Sequence, residues 1–207
     1  MRRKHYLQLL VAVIVVAPAL AHAQAREPRV WIGGGFGISP SGTLKTTVNG
    51  MSSSEDASTA VSVTGIVEFH VAPNVAIGFV PTVLFNIKSG SDSDSSNALD
   101  LPLRISVGGR VAPAVRIYGF ASPGYSILFP PDAGAVDLGH PSGFMLGFGG
   151  GAGFRVAPGV QVTTELGYQF RWLSATGTST FGPVDVSVDY DARVNYLTFA
   201  VGLLARI

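Results

Sequence analysis

The feature that most constrains this chain is a two-residue alternation of apolar and polar side chains, which continues through most of it after residue 25. In one run, Leu99, Leu101 and Leu103 share one face. Asp100 and Arg104 share the other. Such alternation is typical of β-strands, and no stretch shows strong helical periodicity. The pattern predicts eight strands, at about 29–38, 58–71, 74–87, 98–111, 114–127, 143–156, 159–173 and 192–207.

The tripeptide Val-Ala-Pro occurs three times between these runs and predicts where the chain reverses. Proline fixes its own φ and needs no donor in a ladder, which suits a tight turn. The other connections are long and polar, including segment 39–57, SPSGTLKTTVNGMSSSEDA. We therefore expect an up-and-down meander with short turns at one end and long loops at the other. The predicted short turns contain Ala72, Pro73, Ala112, Pro113, Ala157 and Pro158.

The N-terminus has the pattern of a secretory signal peptide. Basic residues at 2–4 precede a short apolar run, and Ala21-His22-Ala23 offers a small-x-small cleavage site. The apolar run is too short for a membrane-spanning helix with these flanks. We expect residues 1–23 to be removed, or 1–25 if cleavage follows Ala25. Residues 24–207 then form one domain, and a fourth Val-Ala-Pro at 16–18 has no meaning for the fold.

Composition excludes several classes of function. The chain has no cysteine, which excludes disulfide frameworks, thiolate metal sites and cysteine nucleophiles. Without the bases at 2–4, 11 Lys and Arg remain against 13 Asp and Glu, a net charge of −2. We therefore expect no nucleic-acid partner, because the basic footprint for one is absent.

The two faces of the alternating runs differ in a way that predicts lipid on the outside. The polar face is mostly Gly, Ser and Thr with a few Arg and Glu, whereas a soluble barrel needs many charged groups on its outer face. The apolar face continues over runs of 10–14 residues, long enough for a tilted membrane strand. Because unpaired backbone groups are costly in hydrocarbon, the sheet must close. Aromatic residues that would form two interfacial girdles are Phe69 and Phe154 near the short turns, and Phe85, Phe129, Phe144 and Trp172 near the long loops.

As a set, "RVWIGGGFGIS", the Val-Ala-Pro turns and the final "YLTFAVGLLARI" resemble the small bacterial outer-membrane β-barrel family, which includes the OmpA-type transmembrane domain and the OmpX and OmpW groups. The resemblance covers essentially all of residues 24–207. It implies an eight-stranded antiparallel up-and-down transmembrane β-barrel in the outer membrane, with short periplasmic turns and long extracellular loops.

The resemblance also implies partners. These are outer-membrane lipid and lipopolysaccharide, periplasmic chaperones, and the barrel-assembly machinery, which reads the last strand. That strand usually ends in Phe or Trp in the family, whereas here it ends in Ile207. Leu203, Ala205 and Ile207 keep the apolar alternation of the strand.

Charged residues on the polar face are predicted to lie in the lumen, as a salt-bridged plug. Eight strands leave an interior just wide enough for side chains, where charges are buried and pair with one another. A narrow or gated pore is the alternative. The predicted lumen charges are Glu68, Arg104, Arg116, Glu165 and Arg171, with Arg110, Arg155 and Arg206 nearer the short turns.

One loop segment resembles part of a catalytic site. "GHPSG" places His140 and Ser142 in the His-x-Ser arrangement of outer-membrane lipid A deacylases. A serine nucleophile needs a base that a third group orients. Here Gly143 replaces the family's Asn, and the run from Gly143 to Gly159 contains no acid. We expect no catalytic site.

One acidic segment and two glycine runs resemble parts of ligand-binding motifs. Asp92, Asp94 and Asp100 offer oxygen-rich spacing, but the EF-hand glycine and final Glu are missing, so a solvated loop is expected. The glycine runs 33–37 and 147–153 precede no helix, so they are not phosphate loops. They are predicted to make room for bulky interior side chains. We expect no metal and no cofactor.

The last long connection contains "VDVSVDYD", whose alternation predicts that strand 8 extends above the membrane, with strand 7 as the second candidate. A protruding edge could bind another chain by strand addition. Together these patterns favour a non-enzymatic barrel with a structural or surface-interaction role through its extracellular loops, such as adhesion or envelope integrity. The alternatives are a narrow channel for small or hydrophobic solutes and, less favoured, a lipid A-modifying enzyme.

Overall fold

The computed structural model describes residues 29–88, 95–130, 139–181 and 184–207, and among these every side chain except those of Arg29 and 179–186. The predicted signal peptide lies outside the described residues. No helix in these ranges is long and apolar enough to cross a membrane. The strands are β1 (Arg29–Val48), β2 (Met51–Ala57), β3 (Ala60–Ala72), β4 (Val75–Phe79), β5 (Thr82–Ile87), β6 (Ser96–Ala112), β7 (Val115–Phe129), β8 (Ser142–Ala157), β9 (Val160–Phe181) and β10 (Val184–Arg206).

These ten strands close into one antiparallel ring, which confirms the predicted barrel. Closure occurs where β1 pairs with β10 on one side and β3 on the other. The barrel wall has eight strand positions, which we call staves. β4 and β5 together occupy one stave between β3 and β6, and β2 is not part of the wall, because within the described residues it pairs with β1 alone. The count of ten strands therefore exceeds the predicted eight by one interruption and one added strand.

The interruption between β4 and β5 falls at Val80-Pro81, because proline cannot donate to a ladder. The wall stays joined across it by two backbone hydrogen bonds. Gly65 N–H donates to the Pro81 carbonyl at 2.9 Å, and Val80 N–H donates to the Pro102 carbonyl at 3.2 Å. Backbone groups beside the break are thus satisfied within the barrel, as a hydrocarbon environment requires.

Each internal Val-Ala-Pro copy forms a β-bulge followed by a two-residue turn. The pairing register shifts at the valine in all three hairpins, and the alanine then closes the hairpin. A bulge leaves one extra residue unpaired and bends its strand. The turn residues are Pro73-Asn74, Pro113-Ala114 and Pro158-Gly159, after strands that end at Ala72, Ala112 and Ala157. We call the end of the barrel with these turns the turn end, and the opposite end the loop end.

The prediction that 39–57 is a polar loop is wrong. β1 continues through Val48, reverses at Asn49-Gly50 and returns as β2, with Val48 opposite Met51. Both turn residues have positive φ, 48° at Asn49 and 84° at Gly50. Type I′ turns require this geometry, and Asn-Gly is their preferred sequence. The segment is therefore an ordered hairpin above the barrel wall.

The apolar face of the wall points outward, as predicted. Leu103 is 60% exposed, whereas its neighbour Arg104 is 9% exposed. The exposed face of β8 and β9 carries a series of neighbouring rings, in which Phe144 lies 5.7 Å from Trp172, and Trp172 lies 5.7 Å from Phe170. The aromatic residues predicted to form two girdles are all exposed: Phe69, Phe85, Phe129, Phe144, Phe154 and Trp172.

Candidate functional site in the barrel lumen

Five of the charged residues predicted for the polar face form ion pairs inside the barrel, in layers: Glu68, Arg104, Arg116, Glu165 and Arg171. The other three, Arg110, Arg155 and Arg206, are exposed near the turn end. Nearest the turn end is a cluster around Glu68 of β3. His70 Nε2 lies 2.9 Å from Glu68 Oε1, and Arg116 Nη1 of β7 lies 3.4 Å from the same oxygen. The Arg116 guanidinium carbon is 5.3 Å from the centroid of the Tyr118 ring, which connects this layer to the next.

The middle layer is a two-bond ion pair between Arg104 of β6 and Glu165 of β9. Arg104 Nη1 and Nη2 donate to Glu165 Oε1 and Oε2 at 2.7 and 2.9 Å. Such parallel bonds are the strong geometry for a guanidinium with a carboxylate. Tyr118 donates its hydroxyl hydrogen to Glu165 Oε1 at 2.7 Å. The guanidinium also lies over the Phe120 ring, 4.3 Å from its centroid.

The upper layer, which is the one nearest the loop end, joins Arg171 of β9 to Asp100 of β6. Arg171 Nε donates to Asp100 Oδ1 at 3.1 Å, and both side chains are 1% exposed. Arg171 Nη2 donates to the same carboxylate and to Gln169 Oε1. The prediction that Asp100 belongs to a solvated loop with Asp92 and Asp94 is wrong for Asp100, which is buried. Its place on the polar face with Arg104 was the signal for burial.

A cavity of about 60 Å³ lies in the lumen beside the middle and upper layers. Asp100, Arg104 and Glu165 line it, together with hydroxyl groups such as that of Ser122. The Ser122 hydroxyl is buried and has no hydrogen-bond partner among the described residues. A polar cavity of this size holds a few water molecules. We expect water to satisfy these groups.

Glycines on the inner face make room for the large side chains of these layers. A Cβ at Gly151 would lie 2.8 Å from the Tyr118 hydroxyl oxygen, and a Cβ at Gly149 would lie 2.9 Å from the Phe120 ring. At Gly108 a Cβ would lie 2.1 Å from the Ile117 carbonyl oxygen. These separations are below van der Waals contact, so side chains at these positions would displace the wall or the charged layers.

Above the Asp100–Arg171 pair the interior becomes apolar. A cluster of buried apolar side chains lies there. It includes the fully buried Tyr196, and Tyr190 packs against it. Burial raises the pKa of the Tyr190 phenol above its ordinary value. Apolar packing and charge pairing are therefore both present in the lumen near the loop end. The buried members of this cluster are Ala57, Ala60, Leu84, Ile87, Ala98, Leu128, Leu173, Ala192, Val194 and Tyr196.

Beyond the ring, four strands continue as a sheet that we call the loop-end sheet. It consists of β2, the upper part of β1, and the upper parts of β10 and β9, where β10 pairs with β9 as far as Val184 opposite Phe181. β8 follows β9 only as far as Ser142 opposite Ser174. β9 and β10 correspond to the predicted strands 7 and 8, and they are 22 and 23 residues long. These lengths are consistent with the prediction that strand 8, with strand 7 as the second candidate, extends above the membrane.

The two catalytic candidates, His140 and Ser142, each contact a different aromatic residue. Tyr125 donates a hydrogen bond to Ser142 Oγ at 2.8 Å, while the His140 ring lies 4.9 Å from the Phe129 ring. Within the described residues no hydrogen bond joins His140 to Ser142. Asp92 and Asp94 lie outside these residues. In the described part of the chain, no three His, Asp or Glu residues are grouped to hold a metal ion.

Comparison with known proteins agrees with this architecture. A family model described as outer membrane protein beta-barrel domain matches residues 9–206. The outer membrane protein OprG from Pseudomonas aeruginosa is 15% identical, with a TM-score of 0.58, over 87% of this chain and 96% of OprG. The outer membrane protein AlkL, whose structure was determined in DMPC lipid bilayers, is 12% identical, with a TM-score of 0.51, over 89% and 92%. No curated protein matches the chain.

Proposed function

Since this chain belongs to the outer membrane protein beta-barrel domain family, a family of bacterial outer-membrane barrels, we propose that it is a non-enzymatic barrel that acts through the loop-end sheet. Its lumen is closed, and its role is attachment of the cell surface to an external partner. The turn end faces the periplasm and the loop end faces the outside. The family places the barrel among lipid and lipopolysaccharide, and the periplasmic chaperones and barrel-assembly machinery are its proposed partners during biogenesis.

The observation that carries this proposal is the outer edge of β2 at Met51–Ser54. β1 lies between β2 and β10, so one side of these residues pairs with β1, and no strand of the described residues pairs with their other side. Residues 51–56 are all exposed. An unpaired edge strand is a template for β-strand addition, in which an extended peptide supplies the missing hydrogen bonds. The partner proposed here is therefore an extended polypeptide segment.

Supporting this choice, three layers of ion pairs and an apolar cluster occupy the lumen among the described residues. An eight-stave barrel is expected to be packed in this way. The candidate nucleophile Ser142 accepts a hydrogen bond from Tyr125, and Glu165 is bound by Arg104 and Tyr118. Among the residues that the structure describes, no base or acid is hydrogen-bonded to Ser142, which favours a role without catalysis.

The test is a shortened hairpin. Deleting Thr46-Thr47 with their partners Ser52-Ser53 removes two paired rows and keeps the alternation and the Asn49-Gly50 turn. We expect cells that display this variant to adhere to a protein-coated surface no better than cells without the protein. Replacing Ser52 and Ser53 by Ala is the control and should preserve adhesion, because backbone groups carry the binding. Equal adhesion by the shortened and full-length proteins would refute the proposal.

Transport of small or hydrophobic solutes is the alternative function. The observation that favours it is the position of the lumen cavity beside an interrupted wall, since Val80 and Pro102 both line the cavity. Planar-bilayer recordings separate the two functions. A closed lumen predicts no resolved conductance steps, and regular steps that change with Glu165→Gln would favour the channel. A lipid A-modifying enzyme is the third candidate function. If the mass spectrum of lipid A is unchanged in cells that overexpress the protein, that function is argued against.

A further inference from the structure

Three arginines surround a pocket at the turn end of the lumen. Arg110 ends the inner face of β6, Arg155 lies near the end of β8, and Arg206 is the last residue of β10. Together with Trp31, Pro158 and Gly159 they line a pocket of about 360 Å³, which we call the turn-end pocket. All three arginine side chains are exposed, so they can reach a solute or a headgroup.

Within the described residues, no salt bridge joins Arg110, Arg155 or Arg206 to an Asp or Glu side chain. Arg110 is paired in register with Arg116, and like charges directly opposite each other on a sheet repel. Of the two, only Arg116 contacts a carboxylate, that of Glu68, which His70 also holds. The other carboxylate in this half of the lumen is that of Glu165, which is taken by Arg104 and Tyr118.

A second polar group in the pocket lacks a partner. Trp31 is 8% exposed, and its Nε1 has no hydrogen-bond acceptor among the described residues. Trp31 is paired in register with Arg206, so the indole and this guanidinium share the inner face at the same level. A buried N–H without an acceptor costs free energy, which an acceptor bound in the pocket would recover.

We propose that the turn-end pocket binds a phosphate-type anion. Guanidinium groups present planar pairs of N–H donors that match phosphate oxygens, and three of them around one pocket can share a single phosphate. Phe69 is paired in register with Val30, next to Trp31, and Phe154 precedes Arg155, so both exposed rings lie near the pocket. Exposed aromatic girdles are typical of the membrane interface. Phosphates of lipid headgroups lie at that level. The phosphate is supplied by a phospholipid headgroup or by a soluble phosphate.

The test follows the fluorescence of Trp31 in the refolded chain. The chain has 2 tryptophans, so Trp172→Phe leaves Trp31 as the single reporter. In detergent without anionic headgroups, inorganic phosphate is titrated against chloride at equal ionic strength. In a second arm, phosphatidylcholine bilayers are compared with bilayers that also contain phosphatidylglycerol. A saturable change in the first arm identifies a soluble phosphate, and a change with lipid content in the second identifies a headgroup.

Variants decide whether the response comes from this pocket. In Arg110→Gln/Arg155→Gln/Arg206→Gln, the half-saturating concentration should rise at least about tenfold, since each charge-assisted hydrogen bond is worth about that factor. Heat-dependent gel mobility verifies folding, and Arg110→Gln alone serves if the triple variant does not fold. Arg193→Gln, at the opposite end, is the matched control and should leave the response unchanged. No saturable response in either arm, or an undiminished one in the arginine variants, overturns the proposal.

Discussion

Arg171 of β9 and Asp100 of β6 face each other across the lumen, with β7 and β8 between them in the wall. Arg104 and Glu165 join the same two strands. On β6 the acid lies nearer the loop end and the base nearer the turn end, whereas on β9 this order is reversed. The two cross-lumen pairs therefore bind β6 to β9 in one register only, because a shift of either strand would place like charges together.

Replacing Asp100 by Asn is expected to lower the free energy of unfolding by about 3–5 kcal/mol, since it leaves the buried Arg171 charge without its partner. The double variant Asp100→Leu/Arg171→Leu should recover most of this loss, because it removes both charges. Urea unfolding in lipid vesicles measures both values. A single variant within about 1 kcal/mol of the parent would contradict a buried, dry ion pair.

Adjacent glycines on β6 offer a matched test of inner-face packing. Gly108→Ala should destabilise the barrel by about 1–3 kcal/mol, because its Cβ would lie 2.1 Å from the Ile117 carbonyl oxygen. Gly109→Ala adds a Cβ with no atom within 4 Å and should change stability by at most about 0.5 kcal/mol. The same urea titration compares the two variants. Equal effects would show that the wall yields to accommodate the Gly108 methyl group.

The turn of the loop-end hairpin depends on left-handed backbone at Gly50, where φ is 84°. Gly50→Val should cost about 1–2 kcal/mol locally, since a β-branched residue is strained in this region. Opening of the hairpin would then increase about 5- to 30-fold. The rate of trypsin cleavage after Lys45 in folded protein measures the opening. Asn49→Gly keeps positive φ accessible and should leave this rate low, whereas a low rate in both variants would mean that other contacts hold the hairpin.

The walls could be predicted because a half-buried strand in lipid imposes alternation on the sequence itself. Segment 39–57 was not predicted as strand because most of its residues are polar and its few apolar ones, Leu44, Val48, Met51 and Ala57, do not alternate regularly. Its Asn49-Gly50 pair, the strongest short signal for a two-residue hairpin, was present.

The partners of the lumen charges could not be predicted. Which staves face each other depends on the stagger at ring closure, and no local pattern encodes that stagger. Asp100 illustrates the difference. Its alternation with Arg104 indicated burial, but its pairing with Arg171, 71 residues away, follows only from the closed barrel.

The closure of β1 on β10 has a consequence for how the chain is connected. Trp31 lies opposite Arg206, and Ile207 N–H donates to the Val30 carbonyl at 3.1 Å, at the same end as the three bulged turns. In terms of connectivity, the wall is a cycle of four hairpins with four junctions between them. Three junctions are covalent turns, and the fourth, between β10 and β1, is held by hydrogen bonds alone. A circular permutant that links residue 207 to residue 29 and opens at Pro113-Ala114 would contain the same staves in the same order.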